Sequence, residues 1–277
     1  MSSSKTGPTI GVFDSGFGGL TVLRALLPLI PGASYLYLGD TARLPYGAKS
    51  QQTIARYAVS SSAFLVDEGA DLLVIACNTA TALALPEIES AVPIPVVGVV
   101  QPGAQAAFAT GNAEVLVLAT SATVQSGAYT RACAALGLRT HEKACPLLVP
   151  LVEEGWIDNP ITAPVTEQVL RIYLREALLE APNARTLLLG CTHYPMLRTM
   201  IERTLLELNH PMQIVDSAAA TAQATSQLAA RFLTPSATLT DPATTFFATD
   251  SVEKFQRLGG VFLGHPLPEV ALVDLGG

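Results

Sequence analysis

The sequence has few charged residues and no concentration of positive charge. Asp, Glu, Lys and Arg make up 14% of its 277 residues, and the formal net charge is −7. No Lys/Arg cluster occurs anywhere in the chain. Because nucleic-acid binding depends on neutralising phosphates with basic side chains, this composition disfavours a large nucleic-acid footprint. A small anion would have to be bound by local hydrogen-bond donors instead.

Long apolar runs are also missing. The most apolar stretch, residues 72–85, is interrupted by Asn78, Thr79 and Thr81, and it is shorter than the roughly 20 residues that span a bilayer. Residues 1–5 contain neither an apolar region nor a small-residue cleavage signal. We therefore expect a cytoplasmic protein with no membrane partner.

Cysteine is scarce, with residues only at Cys77, Cys133, Cys145 and Cys191. In a cytoplasmic chain these thiols are expected to be reduced, and no CxxC or CxxH spacing suggests zinc. Hydrophobic residues are abundant, at 49%, which is enough for two compact α/β units. Disorder is expected only at residues 1–8 and 234–243, where small and polar residues dominate.

Short apolar runs alternate with helical patterns along the chain, which is typical of parallel sheets flanked by helices. Strands are predicted at 9–13, 35–38, 72–76, 96–100, 115–119 and 186–189, and helices from the turn after Asp14 to about 29, from Ser50 to Gly69, around 127–136 and at 164–179. The predicted fold class is α/β, with two similar parallel-sheet domains facing each other across a cleft. The first domain is discontinuous, residues 1–98 plus 210–277, and the second is residues 99–209.

Two of the predicted strands end in the same way. The segments LLVIACNT and TLLLGCTH each place a cysteine, Cys77 or Cys191, at the carboxyl end of a strand, followed by hydroxyl or amide side chains. Each cysteine also has an upstream turn that ends an earlier strand, at Asp14 and Thr120 respectively. Both an internal duplication and a chance likeness of two buried strands would explain this pattern.

The carboxyl ends of the predicted strands carry most of the polar residues of interest. In open α/β sheets, ligands bind beyond these ends. The residues that fall there are Asp14, Ser15, Cys77, Asn78, Thr79, Thr120, Cys191, Thr192 and His193. A buried cysteine is usually a small core hydrophobe, as we expect for Cys133 and Cys145. Cys77 and Cys191 are each predicted at a helix N-terminus, where the backbone dipole lowers a thiol pKa and the N–H groups suit a carboxylate.

Two such thiols allow three interpretations. A disulfide conflicts with the expected redox compartment, and a metal site that includes His193 lacks a clear fourth ligand. The third is acid–base chemistry on opposite faces of one carbon, which must start from one thiolate and one thiol. Asp14 and His193 are suited to set these protonation states, although His193 could instead be a packed structural histidine.

The glycine-rich turn after Asp14 invites a nucleotide-binding interpretation. It lacks the GxGxxG spacing, because Thr21 stands where the last glycine should be, and it lacks the Lys of a P-loop. The glycines are better explained by a tight strand-to-helix turn that exposes Asp14 and Ser15.

Four segments resemble the glutamate racemase family: GVFDSGFGGL from Gly11, YLGDTARLPYG from Tyr37, ACNTA from Ala76 and LGCTHYP from Leu189. The resemblance extends over nearly the whole chain, and its two cysteine motifs together are highly specific. It implies an isomerase that interconverts L- and D-glutamate by a two-cysteine mechanism, with D-glutamate supplying bacterial peptidoglycan synthesis. It implies no cofactor, and no pyridoxal phosphate motif occurs. Its partner would be the small-molecule substrate glutamate, and a homodimer is left open.

The resemblance also implies roles for individual residues. Cys77 would take the α-proton from D-glutamate with the help of Asp14, and Cys191 would take it from L-glutamate. His193 and Glu153 would assist Cys191, with Glu154 as an alternative to Glu153. The implied substrate-binding residues are Asp14, Ser15, Pro45, Tyr46, Gly47, Asn78, Thr79, Thr120, Thr123, Thr192 and His193.

Some alternatives stay open at this point. Tyr46 could equally be a packing residue in its Pro-Tyr-Gly turn. A racemase for aspartate or another small substrate would use the same fold and thiols. A binding protein that only senses an amino acid would keep the fold without the chemistry.

Overall fold

The computed structural model describes residues 7–231 and 243–276. The chain forms two compact units, one of Met1–Val99 with Thr221–Gly277 and one of Val100–Ala220. The segments predicted to be disordered, 1–8 and 234–243, lie mostly outside the described residues. Among the helices of the described part, none is long and apolar enough to span a bilayer.

The described residues form parallel strands separated by helices. In chain order the strands are β1 Thr9–Asp14, β2 Ser34–Gly39, β3 Leu72–Ile75, β4 Val96–Gly98, β5 Glu114–Ala119, β6 Arg139–Ala144, β7 Thr186–Gly190, β8 Gln213–Asp216, β9 Thr244–Ala248 and β10 Val270–Leu272. The helices are α1 Leu20–Leu26, α2 Gln51–Asp67, α3 Asn78–Ala91, α4 Val100–Phe108, α5 Ser121–Ser126, α6 Ala128–Ala134, α7 Leu148–Glu153, α8 Ala163–Glu180, α9 Arg198–Glu207, α10 Ser217–Ala229 and α11 Val252–Leu263.

The first unit is built on a sheet with the strand order β10-β9-β2-β1-β3-β4, and every pairing in it is parallel. β1 lies between β2 and β3, with Asp14 in register with Gly39 and Phe13 in register with Ile75. All residues of β1 and β3 are buried. Their continuous apolar sequences are those of strands covered by helices on both faces.

The second unit is built on a sheet with the order β6-β5-β7-β8, which is also entirely parallel. β7 is fully buried, and Gly190 at its end is in register with Ala119 at the end of β5. The prediction of an α/β fold with two parallel-sheet domains is therefore confirmed. Because β8 pairs with β7, the second unit extends beyond the predicted boundary at 209 and ends at Ala220.

Local signals in the sequence place several helix ends correctly. Ser50 is the N-cap of α2, and its side chain accepts a hydrogen bond from the Thr53 N–H. Gly69, with a φ of +94°, lies just after this helix, as predicted. The strand predicted at 96–100 is shorter than expected, because β4 stops at Gly98 and α4 begins at Val100.

Candidate active site

The first unit brings Cys77, Asp14 and Ser15 to the carboxyl edge of its sheet; we call these residues the Cys77 cluster. Asp14 is the last residue of β1, and Cys77 follows the neighbouring strand β3. The Cys77 Sγ donates to the Ser15 Oγ at 3.4 Å. Cys77 is also the N-cap of α3, and its Sγ accepts from the Ala80 N–H at 3.4 Å. The thiol is therefore held between a hydroxyl and a helix N-terminus, and it is 5% exposed.

The glycine-rich turn allows the backbone to pass close to Asp14. A Cβ atom at Gly19 would lie 2.5 Å from the Asp14 Cβ and 2.9 Å from the Ala76 Cβ, which is closer than real contacts permit. The Asp14 carboxylate accepts a hydrogen bond from the Gly16 N–H at 2.9 Å. The structure thus supports the prediction that these glycines shape a tight turn around Asp14 and Ser15.

The predicted lowering of the Cys77 pKa is wrong. Burial, followed by the negative charge of Asp14, raises the pKa of this thiol from 9.0 to about 11. Hydrogen bonds with Ser15 and Ala80 lower the pKa, but they offset only part of the rise. The helix N-terminus is present as predicted, yet the cost of placing a thiolate among buried atoms outweighs it. Cys77 is therefore a neutral thiol near neutral pH.

The second unit places Cys191, His193 and Glu153 together; we call these the Cys191 cluster. Cys191 follows β7 and is 5% exposed, and the His193 Nδ1 lies 4.0 Å from its Sγ. The His193 Nε2 lies 3.1 Å from the Glu153 Oε1. With the proton on Nε2 donated to Glu153, the imidazole presents Nδ1 as an acceptor toward the thiol. The three groups lie in a row from the Cys191 thiol through the His193 ring to the Glu153 carboxylate.

Glu153 and Glu154 are distinguished by position. Glu153 is the last residue of α7 and is partly buried against His193. Glu154 is the C-cap of that helix and is exposed. The structure therefore places Glu153, the first of the two alternatives, beside His193.

The sequence predicts a helix N-terminus at Cys191, and the helix that follows this residue in the structure is a short 3-10 turn. A 3-10 turn spans Tyr194–Leu197, and α9 begins only at Arg198. An imidazole side chain lies next to the Cys191 sulfur, whereas a hydroxyl and a helix N-terminus lie next to that of Cys77.

The remaining predicted binding residues lie at the ends of the same strands. Thr120 follows β5, and its Oγ1 accepts from the Thr123 N–H at 3.3 Å and lies 3.0 Å from the Thr123 Oγ1. Since Ala119 pairs with Gly190, Thr120 and Cys191 leave the sheet side by side. Thr192 contacts the His193 Nδ1 through its Oγ1 at 3.4 Å. Asn78 and Thr79 are the first residues of α3 and are buried.

The Pro45–Gly47 turn lies in the first unit, where Leu44–Pro45 is a cis peptide bond and a 3-10 turn spans Tyr46–Ala48. The Tyr46 ring is 2% exposed, and its hydroxyl donates to the Asp40 Oδ2. This arrangement supports the packing interpretation of the Tyr46 side chain, so any contact with a substrate would come from the backbone of the turn. Sequence reasoning missed Asp40, although its place directly after β2 was a usable signal.

The chain has clear relatives. The family model described as Asp/Glu/Hydantoin racemase matches residues 18–225. The protein therefore belongs to this class of racemases.

Relatives with higher sequence identity show which family within this class the chain belongs to. A glutamate racemase of Koribacter versatilis is 50% identical over 99% of this chain and 100% of its own, and one of Syntrophus aciditrophicus is 44% identical over 96% of each. The crystal structure of glutamate racemase from Francisella tularensis in complex with D-glutamate has a TM-score of 0.86 at 32% identity, covering 98% of this chain and 99% of that one. The enzyme from Thermus thermophilus, in complex with β-chloro-D-alanine, has a TM-score of 0.83 at 41% identity, covering 99% of both. Within the class, the chain belongs to the glutamate racemase family, and the protein is an isomerase.

Proposed function

We propose that this enzyme interconverts L- and D-glutamate without a cofactor, with Cys77 and Cys191 acting on opposite faces of one α-carbon. The observation that carries the proposal is that each unit holds a buried thiol at the carboxyl end of a central strand, beside its own proton partner. The partner is Asp14 for Cys77 and His193 for Cys191. The choice of glutamate rests on the named activity of the relatives.

In the direction from L- to D-glutamate, Cys191 acts as the thiolate that removes the α-proton. Cys77 acts as the thiol that delivers a proton to the opposite face, so that one C–H bond breaks and another forms. The raised pKa of Cys77 supports its role as the donor in this direction. The turnover leaves Cys77 as the thiolate and Cys191 as the thiol.

The reverse direction starts from Cys77 as the thiolate, so an enzyme in which Cys77 is protonated must first pass that proton to a base. Asp14 is the base that we assign to this step, because a proton taken up by Asp14 also removes the negative charge that opposes the Cys77 thiolate. The ammonium group of the bound substrate favours the thiolate as well, because a positive charge nearby lowers a thiol pKa.

The substrate carboxylates need donors, which the strand ends supply. The N-terminus of α3, which begins at Asn78 and Thr79, suits one carboxylate. Ser15, Thr120, Thr123 and Thr192 would add hydroxyl groups, and the backbone of the Pro45–Gly47 turn would add N–H groups. We further propose that the reaction takes place in the cytoplasm and supplies D-glutamate for peptidoglycan.

Incubation with L- or D-glutamate in D₂O tests the function. We expect deuterium at Cα and loss of optical rotation from either enantiomer, because the delivered proton comes from a thiol that exchanges with solvent. Absence of exchange with both enantiomers would refute the proposal. A parallel panel with aspartate decides the substrate, and thermal stabilisation by glutamate without exchange would indicate a sensor.

Cys77→Ser and Cys191→Ser test the two-base mechanism. Each should abolish racemisation, because a serine hydroxyl is too weak an acid to take over a thiol's role near neutral pH. The control is Cys133→Ser, which replaces a buried thiol on α6 outside both clusters. Retained turnover in either single variant, or loss of turnover in the control with native melting, would contradict the mechanism.

A further inference from the structure

Asp40 is a fully buried carboxylate with three side-chain donors. Its Oδ1 accepts from the Thr249 hydroxyl at 2.9 Å and from the Arg43 Nε at 3.1 Å, and its Oδ2 accepts from the Tyr46 hydroxyl. A buried charge persists only where a partner and hydrogen bonds compensate its lost hydration. Here the compensating groups come from two separate segments of the first unit.

Two of the donors belong to the loop that contains the Pro45–Gly47 turn. The Arg43 side chain is 10% exposed, and its guanidinium lies 4.6 Å from the centre of the Tyr57 ring. The Tyr46 ring packs between Phe13 and Tyr57, with centroid distances of 6.2 Å to each. The loop is therefore held from inside by one carboxylate and from the sides by aromatic rings.

The third donor ties this loop to the carboxyl-terminal segment. Thr249 follows β9, and its hydroxyl accepts from the Ala42 N–H at 2.9 Å while donating to Asp40. The backbone N–H of Asp40 donates to the carbonyl of Asp14 at 3.0 Å. Asp40 thus connects the loop, the strand that ends in Asp14, and β9.

From this connectivity we propose that Asp40 is a positioning residue of the racemase site, which fixes the backbone of the Pro45–Gly47 turn against the substrate, with Thr249 as its support. The inference rests on the proposed function, which gives that turn a part in substrate binding. Asp40 does not touch the reacting carbon in this scheme. Its loss should weaken binding more than chemistry.

Asp40→Asn is the primary variant, because it keeps the shape and removes the charge. We expect the KM for both glutamate enantiomers to rise about tenfold or more with a smaller change in kcat, since hydrogen bonds to charged groups are among the stronger ones and uniform binding affects KM alone. Thr249→Val should act in the same direction but less. Thr249→Ser keeps the hydroxyl group and should have the KM of the wild type.

The matched control is Asp71→Asn, the same substitution elsewhere in the first unit. The Asp71 carboxylate accepts from the Thr9 N–H at 2.8 Å, at the amino end of β1 and so at the far edge of the sheet. The KM of this variant should stay near that of the wild type. The double variant Asp40→Asn with Tyr46→Phe should show less than the sum of the two single effects, because both substitutions weaken the same contact between residues 40 and 46.

A second readout follows the loop itself. Amide hydrogen exchange of residues 41–48 should become faster in Asp40→Asn and Thr249→Val and stay unchanged in Asp71→Asn. Unchanged hydrogen exchange and unchanged KM in Asp40→Asn, or a fall in kcat alone, would overturn the inference. If Asp40→Asn fails to fold, the same measurements on Thr249→Val decide. The proposed function is tested on the wild-type enzyme. If the wild type does not racemise glutamate, the hydrogen exchange of residues 41–48 still tests whether Asp40 holds the loop.

Discussion

Replacing Asp14 by asparagine separates its charge from its shape. The introduced amide would keep an oxygen that can accept from the Gly16 N–H, as the Asp14 carboxylate does at 2.9 Å. The substitution would remove the negative charge, which is the second cause of the raised Cys77 pKa after burial. We therefore expect the pKa of Cys77 to fall from about 11 while remaining above its ordinary value of 9.0.

The size of the effect follows from the raised pKa. A rise from 9.0 to about 11 corresponds to about 3 kcal/mol in favour of the thiol. At pH 8 only about one Cys77 in a thousand is then a thiolate. Since burial and the Asp14 charge are the two causes of this rise, removing the charge makes the thiolate more abundant at a given pH.

Alkylation of Cys77 by iodoacetamide measures this directly, because the thiolate is the reactive form. The rate at the Cys77 peptide, followed by mass spectrometry from pH 7 to 11, should have its midpoint at a lower pH in Asp14→Asn. Cys145, whose pKa is raised to about 12 by burial, is the internal reference. Asp71→Asn is the control variant. Racemisation by Asp14→Asn should fall over the same range, because the base assigned to Cys77 is lost.

The two readouts move in opposite directions, which makes the prediction easy to refute. An unchanged or higher alkylation midpoint in a variant that melts like the wild type would mean that the Asp14 charge does not act on Cys77. A lowered midpoint with undiminished racemisation would mean that Asp14 is not the base for this thiol.

Two further predictions concern the second unit. Glu153→Gln should lower kcat/KM by roughly a hundredfold, because the carboxylate that supports His193 is lost. Glu154→Gln should leave kcat/KM nearly unchanged. Equal effects of the two substitutions in a racemisation assay would contradict the assignment of Glu153. Stability should decline above about pH 9, because the unfolded chain releases the Cys145 proton near 9.0 while the fold keeps it until about pH 12. Cys145 can contribute at most about 1.4 kcal/mol per pH unit to the decline in the free energy of unfolding. Cys145→Ala should therefore make the decline less steep when unfolding by urea is measured at several pH values. An unaltered slope would refute the contribution of Cys145.

The fold could be predicted to a large extent because its signals are local. Buried parallel strands are continuous apolar runs, and caps such as Ser50 mark where a helix begins. The boundary of the second unit could not be placed in this way. The pairing of β8 with β7 joins segments that are not adjacent in the sequence, and the pairing is not visible in either segment alone.

The candidate site was predictable in its members more than in its electrostatics. Strand ends located the thiols together with Asp14 and His193. The resemblance added Glu153, the substrate and the direction in which each thiol works. The pKa of Cys77 was predicted in the wrong direction, because a helix N-terminus is visible in a sequence whereas complete burial beside a carboxylate is not. The position of Asp40 directly after β2 was a usable signal, but its hydrogen bond with Thr249, a residue far along the chain, is not visible in the sequence.

The two clusters differ, but the chemistry limits how that difference can be observed. Cys77 lies beside a carboxylate that raises its pKa, and Cys191 lies beside an imidazole supported by Glu153. Enantiomers have equal free energies, so kcat/KM must be the same in both directions for the wild type and for every variant. Glu153→Gln must therefore lower kcat/KM equally for L- and D-glutamate, although Glu153 belongs to the Cys191 cluster. The difference between the two clusters can appear only in the separate values of kcat and KM. In one direction the loss can come mainly from a lower kcat, and in the other mainly from a higher KM.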